Sequence, residues 1–244
     1  MTSVLLPRSY GATASCGCAT CSASPRPAIG RRGMLAMCAG LVVESSFVGR
    51  AEAQTRLSPG DALNRLMEGN RRYVATQVTS FAEDLDILRQ GTVAKQEPFA
   101  AVLSCADSRV PVELVFDQAI GHVFTTRVAG NICTPEIIAS LEYGAVVLGT
   151  AAILVLGHEG CGAMSAAIAA KSVPGQISAL YAPLRPAVER AGEDLTAAIK
   201  ANAQMQAGLL AKASPVLADL VSQNRLEVVA GYYTLGDGVV ALLS

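Results

Sequence analysis

The sequence predicts an α/β domain with a mainly parallel central sheet flanked by helices. Three observations predict it. Short apolar runs of strand length alternate with longer stretches of helical period. Residues 145–157 carry no charge at all, and the latter part of that run suits a parallel strand covered on both faces. Finally, the two segments richest in Cys, His, Asp and Arg each follow such a run directly, where open α/β sheets carry their ligands.

Taken in order, Ser58-Pro59 reads as an N-cap and first-turn pair. Leu63, Leu66 and Met67 recur at helical spacing, and Gly69-Asn70 is expected to end that helix. A second helix is expected over residues 81–90, stopped by Gly91. Pro98 then opens an apolar strand over 99–104; residues 122–128 form a second, and 135–148 a helix with Pro in its first turn. Residues 151–156 form the third strand and 161–170 an Ala-rich helix. From 178 to 223 the pattern is helical, punctuated by Pro183, Pro186, Gly192 and Pro215. Residues 225–234 form a strand that 239–243 can pair with across Gly236-Asp237-Gly238. The chain shows no internal repeat.

Composition excludes several classes. The chain has 244 residues, 51% hydrophobic and 16% charged, which argues against disorder. A net charge of −1 offers no basic footprint for nucleic acid. The longest apolar runs, 33–43 and 145–157, fall short of the roughly 20 residues a spanning helix needs, so no stable membrane insertion of the mature chain is expected.

Charge is uneven along the chain. Residues 1–53 carry five arginines against two glutamates, a net +3; the rest carries 14 basic and 18 acidic groups, a net −4. Arg31-Arg32 precedes the apolar run 33–43, and Ala51-Glu52-Ala53 follows it. This order resembles a twin-arginine export signal. Gly30, Met34 and Glu44 depart from the usual pattern. The expectation is a leader over 1–53, removed on export to the periplasm, and a single domain over 54–244. An organellar transit peptide, or a tail on a cytoplasmic protein, are the alternatives. Cys16, Cys18 and Cys21 have ligand-like spacing but no nearby histidine, and with Cys38 they read as leader residues. Cleavage after Ala53 leaves Cys105, Cys133 and Cys161, too few for a disulfide framework. Cys133 reads as a small core residue.

The chemistry concentrates in Ser104-Cys105-Ala106-Asp107-Ser108-Arg109 and Gly157-His158-Glu159-Gly160-Cys161-Gly162. Cys105, His158 and Cys161 offer two thiolates and an imidazole. That set suits tetrahedral zinc with a fourth position open to water, the arrangement of catalytic sites. Asp107 and Arg109 alternate with Cys105 and, on extended backbone, project to the same side. Asp107 could accept a hydrogen bond from hydroxide at the metal, or fill the fourth position itself, with Arg109 holding it ionised. His122, the only other histidine, reads as a polar residue at a strand end.

Cys105-Ala-Asp-Ser-Arg109, Val110-Pro-Val-Glu-Leu-Val-Phe-Asp-Gln118, Arg127-Val-Ala-Gly-Asn131 and Gly157-His-Glu-Gly-Cys-Gly162, in this order, resemble the β-class carbonic anhydrases. The resemblance runs from about Ser58 to the end of the chain. It implies one zinc per chain on Cys105, His158 and Cys161, with Asp107 and Arg109 as a catalytic dyad. It further implies hydration of carbon dioxide to bicarbonate and a proton, by attack of zinc-bound hydroxide, in a homodimer or homotetramer with active sites near the interface. Gln118 and Gly162 are assigned to the carbon dioxide pocket. In some members Asp107 would be a conditional fourth ligand. Two thiolates offset the charge of the ion, so activity is expected to rise into the alkaline range. Two rival readings keep the fold: a zinc hydrolase of carbon disulfide or carbonyl sulfide, and a non-catalytic zinc-stabilised module that binds bicarbonate or a partner. The intact dyad argues against the second.

Overall fold

A computed structural model describes residues 55–80 and 92–244. The leader expected over 1–53, its cysteines and the helix expected over 81–90 lie outside the described residues. No helix among the described residues is long and apolar enough to cross a membrane.

The first helix, α1 (Pro59–Val74), starts where its cap predicts: the Ser58 hydroxyl accepts the Asp61 N–H at 3.1 Å. It does not stop at Gly69-Asn70. Gly69 sits where the backbone of Phe116 crosses the helix; a Cβ there would lie 1.7 Å from the Phe116 carbonyl oxygen. Asn70 is buried and donates to the Val115 and Gly238 carbonyls, while its Oδ1 accepts the Val240 N–H. Both residues serve close packing, and tertiary contacts override their weak helix propensity.

The sheet comprises β1 (Ala100–Ser104), β2 (Val123–Arg127), β3 (Ala152–His158), β4 (Glu227–Tyr233) and β5 (Val240–Leu243), in the order β2-β1-β3-β4-β5. Four strands are parallel; β5 returns antiparallel to β4 across the Gly236–Gly238 turn. Every residue of β1 and β3 is buried, which is why both read as uninterrupted apolar runs. Alternate side chains enter opposite layers. Val102, Leu154 and Leu156 pack with Leu66, Val112 and Phe116, from α1 and around α2 (Val112–Val115). Leu103, Ile153 and Val155 pack instead on the other face. There they meet α3 (Pro135–Val146), α6 (Leu195–Ala213) and α7 (Pro215–Ser222). Each buried Leu, Ile or Val contributes about 1.5–3 kcal/mol.

The remaining helices are α4 (Gly162–Ala169) and α5 (Tyr181–Ala191), the latter entered through a 3₁₀ turn over Ile177–Leu180. Pro183 and Pro186 lie within α5 and do not end it; Gly192, at φ +64°, does. Chain order and strand order diverge at β1, since the chain leaves β1 for β2 on one side and returns for β3 on the other. That is the switch point where open α/β sheets form a crevice at their carboxyl ends.

Candidate metal centre

The switch point is where the chemistry-bearing residues collect. Cys105 follows the last residue of β1. His158 is itself the last residue of β3, paired with Tyr233, rather than lying beyond the strand as its sequence suggested. Cys161 is the N-cap residue of α4. One ligand atom from each of the three lies within 4.8 Å of the others, and all three residues are buried.

The protonation pattern of the trio is readable from its hydrogen bonds. His158 Nδ1 lies 2.9 Å from the Glu159 carbonyl oxygen. A carbonyl only accepts, so Nδ1 carries a proton, and in the neutral imidazole the lone pair lies on Nε2. That Nε2 is buried with no hydrogen-bond partner. Cys105 Sγ accepts the Gly130 N–H at 3.3 Å. Gly130 adopts φ +79°, a conformation a side chain would strain. The Cys161 thiol beside it, with help from backbone N–H groups, holds the Cys105 thiol below its ordinary value against its burial. Cys161, beside Cys105 and buried, is pushed up. Two buried sulfurs beside an imidazole nitrogen with no hydrogen-bond partner form a site that a soft divalent cation fits. Tetrahedral zinc with bonds of ~2.0–2.3 Å spaces its ligand atoms roughly 3–4 Å apart, within reach of this cluster.

Asp107 and Arg109 join the site through a turn and not, as expected, through extended backbone. The Asp107 carbonyl accepts the Val110 N–H at 3.1 Å, and its Oδ1 accepts the Arg109 N–H at 2.9 Å. An aspartate that captures the N–H two residues on closes its own turn. The Arg109 guanidinium then grips the carboxylate with Nε on Oδ1 at 2.9 Å and Nη2 on Oδ2 at 2.7 Å. Arg109 also donates to the Gly160 carbonyl, tying this turn to the second ligand segment. Its side-chain hydrogen bonds hold the Asp107 carboxyl well below the usual carboxylate range. The carboxylate is therefore ionised at neutral pH, with Oδ2 only 3.9 Å from the open Nε2 of His158.

Of the residues assigned to a substrate pocket, Gly162 begins α4 beside Cys161, and a Cβ there would meet nothing within 4 Å. Gln118 is elsewhere in the chain. It is buried, donates to the Phe116 carbonyl at 2.8 Å, and lines a cavity of about 480 Å³ with Arg72, Asp117 and His122. His122 precedes β2, with its ring beside Arg65 and Phe99. Cys133 packs against the core as read, and burial pushes its thiol up to about 12. Two contributors were not assigned from sequence: Gly130, through its N–H to sulfur, and Arg127, whose guanidinium holds two carbonyls of the Cys105 loop. Their one signal was the Arg127-Val-Ala-Gly-Asn131 motif.

A family description, carbonic anhydrase, matches residues 100–240, which span the four parallel strands and all three candidate ligands. The chain belongs to the carbonic anhydrase family. Carbonic anhydrase 2 of Mycobacterium tuberculosis is 42% identical over 113 residues, covering 46% of this chain and 54% of that protein. A carbonic anhydrase of Pseudomonas aeruginosa is 31% identical over 172 residues, covering 64% of this chain and 78% of that one. The fold is that of the β class: a tetrameric β-carbonic anhydrase of Sordaria macrospora superimposes with a TM-score of 0.62 at 20% identity, over 75% of this chain and 98% of that one. The chain spans about half the length of the mycobacterial relatives it matches.

Proposed function

We propose that this carbonic anhydrase-family chain catalyses the reversible hydration of carbon dioxide to bicarbonate and a proton, using one zinc held by Cys105, His158 and Cys161. The observation that carries the reading is the unpartnered, buried Nε2 of His158, set between two thiols and facing Asp107 Oδ2 at 3.9 Å. When bound, zinc supplies a Lewis acid that makes hydroxide available near neutral pH. The chain's own residues do the rest. Glu159, through its carbonyl, fixes the His158 tautomer that leaves Nε2 free to ligate. Asp107, kept ionised in the Arg109 fork, presents Oδ2 to accept the O–H hydrogen bond of the attacking oxygen and so aims its lone pair at the carbon of carbon dioxide. The open space beside Gly162 is where the substrate fits. The reading includes assembly as a homodimer or homotetramer, which the tetrameric Sordaria relative supports. We also read residues 1–53 as a twin-arginine-type leader that delivers a single domain, 54–244, to the periplasm.

Stopped-flow hydration of carbon dioxide, with zinc content, for the wild type and Asp107→Ala tests the reading. One zinc per chain, activity rising from about pH 6.5 to about 9, and its loss in the variant are expected. Zinc at one per chain with no hydration in the wild type rejects the proposal. Sedimentation gives the assembly. The N-terminal residue of protein recovered from the periplasm, expected near Gln54, tests the leader, and intact leader on cytoplasmic protein rejects it.

A further inference from the structure

His158 ends β3, and a second cavity lies at the strand's other end, where the chain enters β3 and β4. It measures about 300 Å³. Ser58 and Pro59 at the start of α1, Thr150, and two arginines, Arg56 and Arg225, contribute to its wall. No described aspartate or glutamate lines it. Both arginines are exposed, and neither forms an ion pair with a described carboxylate. Arg225 reaches only the neutral amide oxygen of Gln223, at 3.4 Å. One unpaired surface arginine is ordinary. Two on the wall of one cavity leave positive charge there that no carboxylate answers.

A second observation is independent of charge. Thr150 lines the same cavity at 2% exposure, and its hydroxyl is buried with no hydrogen-bond partner. Its N–H is already spent on the Gly144 carbonyl at 3.0 Å. A hydroxyl taken out of water and left unbonded costs stability, and protein interiors hold few of them. An oxyanion supplies the acceptor that this one lacks. The 16-residue helix α1 starts at the same wall, with the positive end of its dipole there. Its Ser58 hydroxyl is engaged by Asp61, donating to Oδ2 at 2.7 Å and accepting the N–H. The helix therefore offers its dipole and not its cap.

We propose that Arg56, Arg225 and Thr150 form a binding site for a phosphate-class oxyanion, either free phosphate or the phosphate group of a small ester. A guanidinium fork suits two oxygens of such a group, and a hydroxyl donates to a third. The cavity is of the size at which small-molecule sites begin. None of Cys105, Asp107, His158 and Cys161 lines it, so the proposal stands apart from the zinc and hydration reading. Isothermal titration calorimetry of the full chain with inorganic phosphate and, separately, glycerol 3-phosphate tests it, at an ionic strength held constant with chloride. At least one should bind saturably, with a dissociation constant of about 1 mM or tighter. Tighter binding of the ion assigns the site to free phosphate, and tighter binding of the ester to a phosphate monoester. Arg56→Gln and Arg225→Gln should each weaken binding about tenfold, the scale of one lost charged hydrogen bond. Thr150→Val should weaken it about threefold or more with the melting temperature not lowered, because the free protein loses no hydrogen bond.

Failure of both probes to bind more tightly than about 10 mM overturns the proposal. So does wild-type affinity in any one of the three variants. Binding that survives in the chain carrying both arginine substitutions lies at the metal centre or elsewhere, and it too overturns the proposal. Should Thr150→Val fail to fold, the two arginine variants, whose side chains are exposed, decide alone.

Discussion

Among the described residues two arginine–aspartate pairs stand in different surroundings. Asp117 follows α2, at φ +44°, with its side chain wholly buried. Its carboxylate accepts from Arg72 Nε, the Thr79 and Ser80 N–H groups and the Thr79 hydroxyl. Both oxygens are used up. Asp107, partly exposed, has Arg109 and one backbone N–H, and an oxygen of it lies 3.9 Å from a buried nitrogen that has no hydrogen-bond partner. The difference teaches how to separate a structural carboxylate from a working one. A saturated carboxylate anchors a loop, whereas one held in place with an acceptor position to spare is available to a ligand.

Substitutions should split the two pairs cleanly. The largest effect belongs to Asp107→Asn, expected to lower kcat/KM for hydration by ~10²–10³-fold, about 3–4 kcal/mol of barrier, with melting temperature nearly unchanged. Stopped-flow and calorimetry on one preparation decide it. A loss of stability matching the loss of activity would merge the two classes. Asp117→Ala should do the reverse and destabilise by about 2–3 kcal/mol, less than a fully buried pair because Arg72 can still reach water. Activity per folded molecule should stay near wild type, and denaturant titration gives the first number. Gly69→Ala attacks the same anchor indirectly. Its methyl would displace the Phe116 carbonyl next to Asp117, at a cost of about 2 kcal/mol. An unchanged unfolding midpoint would show that α1 can shift freely there.

The smallest effect is a pH dependence of stability. Burial raises the Asp117 carboxyl, but hydrogen bonds from Arg72, Ser80 and Thr79 outweigh it and bring it from 3.8 to about 2. A depressed folded value contributes stability that is fully present above the unfolded value and lost as pH falls through the folded one. The contribution is on the order of 2 kcal/mol, lost between about pH 4 and about pH 2. Melting temperature followed over that interval should fall more steeply in wild type than in Asp117→Asn. Parallel curves would remove Asp117 from the acid response.

Much of this architecture was legible in advance, and for identifiable reasons. β1 and β3 announce themselves because both of their faces are buried, leaving no position for a polar residue to interrupt the run. The three candidate ligands were legible because sulfur and imidazole are scarce and each follows or ends a strand. What sequence reading missed was tertiary. Gly69 and Asn70 look like a helix stop and are instead packing residues chosen by Phe116, Val115 and Gly238. Asp107 and Arg109 meet through a turn closed by the aspartate's own side chain, where alternation suggested a strand. Arg127 and Gly130 act on two carbonyls and a sulfur of the loop after β1, and the Arg127–Asn131 motif does not name such partners.

The placement of the ligands on neighbouring strands has a consequence for how the chain assembles. Cys105 and His158 are far apart along the chain, and joining the ends of a loop of that length costs roughly 3–4 kcal/mol of entropy. Pairing of β1 with β3, both buried along their whole length, brings them together without any ion. On the proposed zinc reading the cation would meet a prepared pocket, unlike small metal-nucleated domains that are unstructured until loaded. Chelation should therefore silence this protein while leaving its far-ultraviolet dichroism intact, and reloading should restore it without a refolding delay.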